Sequence, residues 1–92
     1  MAGFALSDFS DKVGHVYDVA AEGGLCPLTL TAIETFDFPG QPAGFRLNFL
    51  GPADPMLPQG TYAFSAEDPD LILFIVPRGR DEKGVRYDAT FN

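Results

Sequence analysis

The chain has 92 residues, enough for one domain with a single hydrophobic core and too few for two. With 46% hydrophobic and 21% charged residues, the composition is globular and excludes a disordered chain. Thirteen acidic residues against six basic ones give a formal net charge of -7, which argues against nucleic acid and anionic membranes as partners because both require a concentrated basic face.

Glycine and proline interrupt the sequence too often for long helices. The chain contains ten Gly and eight Pro, together with nine Phe and three Tyr, a combination that favours short strands around an aromatic core. We therefore predict an all-β fold, a small antiparallel β-barrel or sandwich of about six strands with a short N-terminal helical turn. We expect the whole sequence, residues 1–92, to form a single β-domain.

No targeting or membrane signal can be read from the sequence. The first residues, MAGFALSDFSDK, have no basic region followed by an apolar stretch of signal length. No apolar run approaches the roughly 20 residues of a membrane span. We expect a cytoplasmic protein, either free or as part of a particle or virion-like assembly.

The N-terminal half predicts a helical turn and three strands. The turn covers residues 8–12, and a strand of mixed quality follows it until Gly23 and Gly24 break the chain. The segments LTLTAIET (28–35) and FRLNF (45–49) alternate well between apolar and polar residues and predict the next two strands. In the first strand, the alternation places these residues on one face: Val13, His15, Tyr17 and Val19.

The C-terminal half predicts a long connection and three further strands. The segment GPADPMLPQG (51–60) holds three prolines, and we expect Met56 and Leu57 to pack against a sheet edge. GTYAFSA, LILFIV and VRYDATF read as strands, with RGRDEKG as the turn between the last two. The predicted core consists of Phe45, Leu47, Phe49, Tyr62, Phe64, Leu73, Ile75, Tyr87 and Phe91.

The segment LILFIVP (71–77) places six apolar residues in a row. A strand turns alternate side chains to opposite faces, so this run requires burial on both sides. We predict a central strand, paired with residues 85–91 and with residues 60–66. Its second face is covered by the N-terminal segment with Phe4, Leu6 and Phe9, by the loop around Met56, or by another chain, because a large apolar side chain left in water forfeits roughly 1.5–3 kcal/mol.

The residues with reactive side chains do not form a recognisable catalytic set. His15 lies near Asp11 and Asp18 in the sequence, which is the minimum for general-base chemistry, but a half-exposed strand histidine beside Tyr17 is the simpler interpretation. Cys26 has no cationic neighbour in the sequence to lower its pKa and reads as a small buried thiol. One His and one Cys cannot form a zinc site. We expect no catalytic residues, no metal and no cofactor.

Two charged segments could bind ions, and a structural interpretation fits each better. Glu67, Asp68 and Asp70 could offer oxygens to calcium, but the ligand spacing around a central Gly is missing, which indicates a solvated turn. The segment RGRDEKGVR holds most of the positive charge, and Asp81 and Glu82 nearly balance it. It therefore indicates a salt-bridged hairpin turn, in which Gly79 and Gly84 take positive φ angles.

The C-terminal half also resembles a known family. FRLNFLGP, LPQGTYAF and LILFIVPRGRDEKGVRYDATFN are similar to the pattern of a small bacterial domain of unknown function, DUF6916, with the series F-x-L-x-F-x-G-P, L-x-Q-G-x-Y, L-x-L-F-x-V-P and Y-x-A-x-F-N. The resemblance covers residues 45–92 well and the first half in general pattern. It implies no catalytic residue. Members of this family often accompany proteins similar to phage tail collar and tail-fibre components, which implies a structural or assembly role.

Two classes of function remain open. The first is a non-enzymatic structural or assembly protein that presents an apolar strand face or edge to a protein partner or to copies of itself. The alternative is a small binding module or barrel enzyme with a pocket lined by Tyr17, Tyr62, Tyr87 and His15. The sequence favours the first class, because it has more apolar strand than a lone domain needs. The candidate interface residues are Ile72, Phe74, Val76, Met56 and Leu57.

Overall fold

A computed structural model describes residues 6–37, 39–40, 43–54, 56–64 and 71–91. Phe4 and the candidate calcium ligands Glu67, Asp68 and Asp70 lie outside the described residues. The regular elements are a 3-10 turn at Leu6–Asp8 and the strands β1 (Val16–Ala21), β2 (Gly24–Phe36), β3 (Gly44–Gly51), β4 (Gly60–Ala63), β5 (Ile72–Asp81) and β6 (Gly84–Phe91).

The six strands form one antiparallel sheet in the order β1-β2-β3-β6-β5-β4. The strands at the two ends of this order, β1 and β4, come into contact, so the sheet is a nearly closed barrel. The all-β prediction is confirmed. So is the position of the fifth strand, since β5 pairs with β4 on one side and with β6 on the other.

The inward-facing side chains of all six strands fill the barrel. On β3 and β6 the alternation follows the prediction, because a strand with one face on a core repeats with a period of two. Tyr62 and Phe91 of the predicted core are partly buried. The residues buried in the core are Phe9, Tyr17, Val19, Cys26, Leu28, Leu30, Phe45, Leu47, Phe49, Leu57, Phe64, Leu71, Leu73, Ile75, Val85, Tyr87 and Ala89.

The N-terminal segment differs from the prediction. The 3-10 turn covers Leu6–Asp8, and residues 9–11 follow as separate turns, in place of the helical turn expected over residues 8–12. The amide of Lys12 donates to the carbonyl of Phe9, and that of His15 to the carbonyl of Lys12. Phe9 is buried, with its ring centroid 6.2 Å from that of Phe45 and 6.0 Å from that of Phe91. The segment therefore closes one end of the barrel.

Two strand boundaries also differ from the prediction. β1 begins at Val16, so Val13, which the prediction included in the strand, lies before it and is exposed. β5 continues through the expected turn as far as Asp81, with a bulge between Pro77 and Gly79. A bulge adds one residue to one strand and so lets pairing resume beyond a proline.

The β5–β6 hairpin has a two-residue turn at its tip. Asp81 and Gly84 are paired across it, and the Asp81 carboxylate accepts hydrogen bonds from the Lys83 amide (2.8 Å) and from Arg86 Nε (3.0 Å). The first of these bonds, and then Arg86, lower the pKa of Asp81 below its ordinary value. The φ angles of Gly79 and Gly84 are 155° and 137°. Both angles confirm the expectation of positive φ at these glycines.

Within the parts of the chain that the structure describes, no helix is long and apolar enough to cross a membrane.

Candidate functional site

The outer face of β5 is apolar and exposed. Leu71, just before the strand, and Leu73 and Ile75 within it point inward and are buried, as the alternation requires. On the other face, Ile72 is 49% exposed and Phe74 is 52% exposed. Val76 is half-buried.

The N-terminal segment leaves this face largely uncovered. Phe9 packs in the core against Phe45 and Phe91, and Leu6 is itself exposed. Met56 in the Pro-rich loop is also exposed. As described, the molecule leaves about half the surface of two large apolar side chains in contact with solvent.

A shallow groove of about 170 Å³ lies beside Phe74. Its walls are formed by six residues of β3, β5 and β6: Arg46, Phe74, Val76, Arg78, Asp88 and Thr90. The groove therefore joins an aromatic ring to two guanidinium groups and one carboxylate. Apolar contact and directed hydrogen bonds are thus both available at this groove.

An ion-pair ladder crosses four strands at the edge of this groove. Asp88 Oδ2 lies 3.1 Å from Arg78 Nε and 4.0 Å from Arg46 Nε, and Arg46 Nη1 lies 3.5 Å from Glu34 Oε2. Asn48 Nδ2 donates to the same oxygen of Glu34 at 3.0 Å. With Glu34 included, the ladder sets two guanidinium groups against two carboxylates, so its charges balance.

Sequence reasoning missed this ladder. Arg78 was assigned to the hairpin turn, but β5 continues through it, and Arg78 Nε lies 3.1 Å from Asp88 Oδ2 on the outer face. The alternation in FRLNF placed Arg46 on the polar face of its strand and gave it no partner. Its ion-pair partners follow from the strand order, which places β3 between β2 and β6.

The predicted interface residues do not all lie together. Ile72, Phe74 and Val76 share the outer face of β5. Leu57 is buried in the core, so its side chain offers no contact surface. Met56, next to it in the chain, is exposed.

Two tyrosine hydroxyl groups hold the Pro-rich loop in place. Buried Tyr87 accepts a hydrogen bond from the amide of Leu57 at 2.8 Å. Tyr62 donates its hydroxyl to the carbonyl of Pro58 at 2.6 Å. Burial raises the pKa of Tyr87, and the hydrogen bond from Leu57 lowers it in part. Both hydroxyl groups thus have a structural role at neighbouring residues of the loop.

Replacement of Tyr87 by Phe is expected to lower the free energy of unfolding by about 1–3 kcal/mol, because the buried Leu57 amide loses its acceptor. Tyr62→Phe removes the same atom from an exposed hydrogen bond and is the matched control. Its expected loss is below about 1 kcal/mol. Urea denaturation measures both, and hydrogen exchange at the Leu57 amide should accelerate in the first variant. Equal losses in the two variants would contradict the role of Tyr87.

The other candidate groups are His15, Tyr17 and Cys26. His15 is exposed, with its ring edge-on to Tyr17 at a centroid distance of 4.6 Å. Tyr17 is buried, and burial, followed by the Asp11 carboxylate, raises its pKa. Cys26 is buried and free, and burial raises the pKa of its thiol. The described residues contain no group of three or more His, Cys, Asp or Glu that could hold a metal ion.

Comparison with protein families decides the relationship of this chain. The family model for a domain of unknown function, DUF6916, matches residues 4–91. The chain belongs to the DUF6916 family. The match extends the resemblance noted in the C-terminal half over nearly the whole chain. No curated protein and no solved structure matches this DUF6916 chain.

The structure gives physical reasons for several motif residues of this DUF6916 chain. Gly51 is buried, and a Cβ atom there would overlap the Leu28 side chain and lie 3.3 Å from Cε1 of Tyr87. Tyr62 and Tyr87 bind the loop that carries Leu57. Of the other motif residues that the structure describes, Phe74 is exposed, and these are buried: Phe45, Leu47, Phe49, Leu57, Leu71, Leu73 and Ala89.

Proposed function

We propose that the chain is a non-enzymatic structural or assembly protein that binds copies of itself or a larger particle through the outer face of β5. The observation that carries the proposal is the exposure of Ile72 and Phe74 on a strand whose inner face is buried. Removal of an apolar face of this kind from water by a partner lowers the free energy and so favours association.

The groove beside Phe74 adds specificity to this contact. Arg46 and Arg78 offer charged donors next to the apolar side chains, and Asp88 offers an acceptor between them. Charged groups around an apolar centre select the partner and its orientation. We place the protein in the cytoplasm or in a particle, as a component of a phage-tail-like or fibre-like assembly, in keeping with the implication of the family resemblance.

The alternative, a binding barrel with a pocket of tyrosines and His15, finds less support. Tyr17 and Tyr87 are buried in the core, and the hydroxyl of Tyr87 accepts a hydrogen bond from the Leu57 amide. His15 contacts Tyr17 from the exposed side. The hydroxyl groups of Tyr62 and Tyr87 are instead used to hold the Pro-rich loop.

The test is the mass of the protein in solution, measured by size-exclusion chromatography with light scattering over a salt series. The net charge of -7 makes copies repel each other, and salt screens this repulsion. We therefore expect oligomers whose association strengthens as ionic strength rises. Ile72→Lys, Phe74→Lys and Val76→Lys should give folded protein of monomer mass.

Gln59→Lys is the matched control, because it adds the same charge at an exposed residue of the Pro-rich loop. It should associate like the natural protein. A wild-type protein that stays monomeric at high salt and high concentration would refute self-association. Lysine variants on β5 that associate normally would show that the outer face of β5 is not the contact surface.

A further inference from the structure

A second apolar face lies on the outside of the β1–β2 hairpin. Leu25 is 65% exposed and Val16 is 51% exposed. The strand register pairs Ala20 with Leu25, Asp18 with Pro27 and Val16 with Thr29, which places these six residues together on the outward surface. Asp18 is the one charged side chain among them. We call these six residues the hairpin face.

The hairpin face and the outer face of β5 lie on opposite sides of the barrel. In the strand order, one strand lies between the pair β1–β2 and the pair β6–β5 in each direction around the barrel: β3 on one side and β4 on the other. Contact between β1 and β4 brings the ends of this order together. The molecule thus presents two separate apolar faces that point away from each other.

The shapes of the two faces complement each other. Phe74 projects from β5 into solvent. Beside the hairpin face lies a depression of about 300 Å³, bounded by Leu25, Pro27, Pro52 and Asp54. An aromatic side chain fits a concave site of this size and composition.

The charges also favour contact between unlike faces. The groove beside Phe74 carries Arg46 and Arg78, balanced by Asp88 and by Glu34 beside it, so the β5 face offers guanidinium groups as well as carboxylates. The hairpin face and its depression carry Asp18 and Asp54, and neither contains a basic residue. Two hairpin faces brought together would set acid against acid, whereas a hairpin face on a β5 face sets acid against arginine.

We infer that copies of this chain associate head to tail, with the outer face of β5 of one copy seated on the hairpin face of the next. This inference rests on the proposed function, because it specifies how the assembling chain contacts itself. Phe74 enters the depression beside Leu25, and Arg78 meets the carboxylates of Asp18 and Asp54. A contact between two different faces leaves one unoccupied face of each kind at the two ends of the assembly. Further copies therefore add until a ring closes, or they form an open filament.

The experiment uses two variants, each of which damages one face. Phe74→Lys removes the projecting ring, and Leu25→Lys places a charge on the hairpin face. Each variant alone should have monomer mass by light scattering. Mixed in equal amounts, they should form a 1:1 dimer, because the intact β5 face of the Leu25→Lys protein binds the intact hairpin face of the Phe74→Lys protein. The two damaged faces both carry Lys and repel, so growth stops at the dimer.

Matched variants distinguish loss of a contact face from misfolding of a variant. Ile72→Lys and Val16→Lys damage the same two faces at other exposed residues, and circular dichroism verifies the fold of each protein. Gln59→Lys should assemble beyond the dimer, as the natural protein should.

Each other result overturns the inference in a recognisable way. If Leu25→Lys alone still forms a dimer while Phe74→Lys is monomeric, two β5 faces meet around a two-fold axis, and the proposed function survives without the head-to-tail contact. A mixture that remains monomeric overturns the pairing of these two faces. A natural protein that is monomeric under all conditions overturns the inference and the self-association part of the proposed function.

Discussion

Replacement of Phe64 by Ala is expected to lower the free energy of unfolding by about 3–5 kcal/mol. Phe64 is fully buried where β4 ends, at the place where the barrel closes. Its ring centroid lies 5.0 Å from that of Phe49 on β3 and 6.0 Å from that of Tyr17 on β1. The ring therefore joins the last strand of the sheet order to the first through the core. Its removal leaves a cavity at the seam between β1 and β4.

Phe74→Ala is the matched control, since it makes the same substitution on the exposed face of β5. Its expected effect on unfolding is below about 1 kcal/mol. Urea denaturation at low protein concentration measures both variants without a contribution from association. If the Phe64 variant is unfolded at 25 °C, Phe64→Leu provides an intermediate loss. A loss below about 1 kcal/mol for Phe64→Ala would show that the inward and outward faces had been assigned incorrectly.

The strands with regular alternation could be predicted from the sequence. On β3, Phe45, Leu47 and Phe49 face the core, and the polar residues between them face outward. A period of two requires only local information, because each side chain follows from its position along the strand. The same reasoning separates the inner Leu73 from the outer Phe74.

The features that depend on register or on isolated residues could not be predicted. Val13 and His15 continue the alternation of β1, but Gly14 has a φ of 93° and its amide donates to the Leu30 carbonyl, so the strand starts after them. Phe9 is a single aromatic residue among turns, and a single residue has no period. Its burial depends on the Phe45 and Phe91 rings that meet it in the folded chain.

The candidate site divides in the same way. Ile72 and Phe74 could be assigned to one strand face from the sequence, and the exposure of that face is a property of the closed barrel. The groove was missed because the sequence assigned Arg78 to a turn, whereas β5 continues past Pro77 and Arg78 pairs with Asp88. Met56 and Leu57 were both expected to pack against a sheet edge, and a proline-rich loop has no periodicity that would indicate that only Leu57 is buried.

Replacement of Gly84 by Ala is expected to lower the free energy of unfolding by about 2–6 kcal/mol, through backbone strain and overpacking together. Gly84 begins β6 with a φ of 137°, a conformation that residues with a Cβ atom rarely adopt. A Cβ atom at this residue would overlap the carbonyl oxygen of Gly51 on β3. The obstacle is backbone, which cannot move aside as a flexible side chain can.

Two other glycines of the chain separate these contributions. Gly24→Ala meets no atom within 4 Å but has a φ of 128°, so it should show the strain alone, about 1–3 kcal/mol. Gly23→Ala has open space and no positive φ, and its expected change lies within about 0.5 kcal/mol. Denaturant unfolding should therefore rank the losses as Gly84 above Gly24 above Gly23. A Gly84 variant no less stable than the Gly24 variant would mean that β3 and β6 separate at this end of the barrel, and that the close approach of Gly51 to Gly84 is not required for the fold.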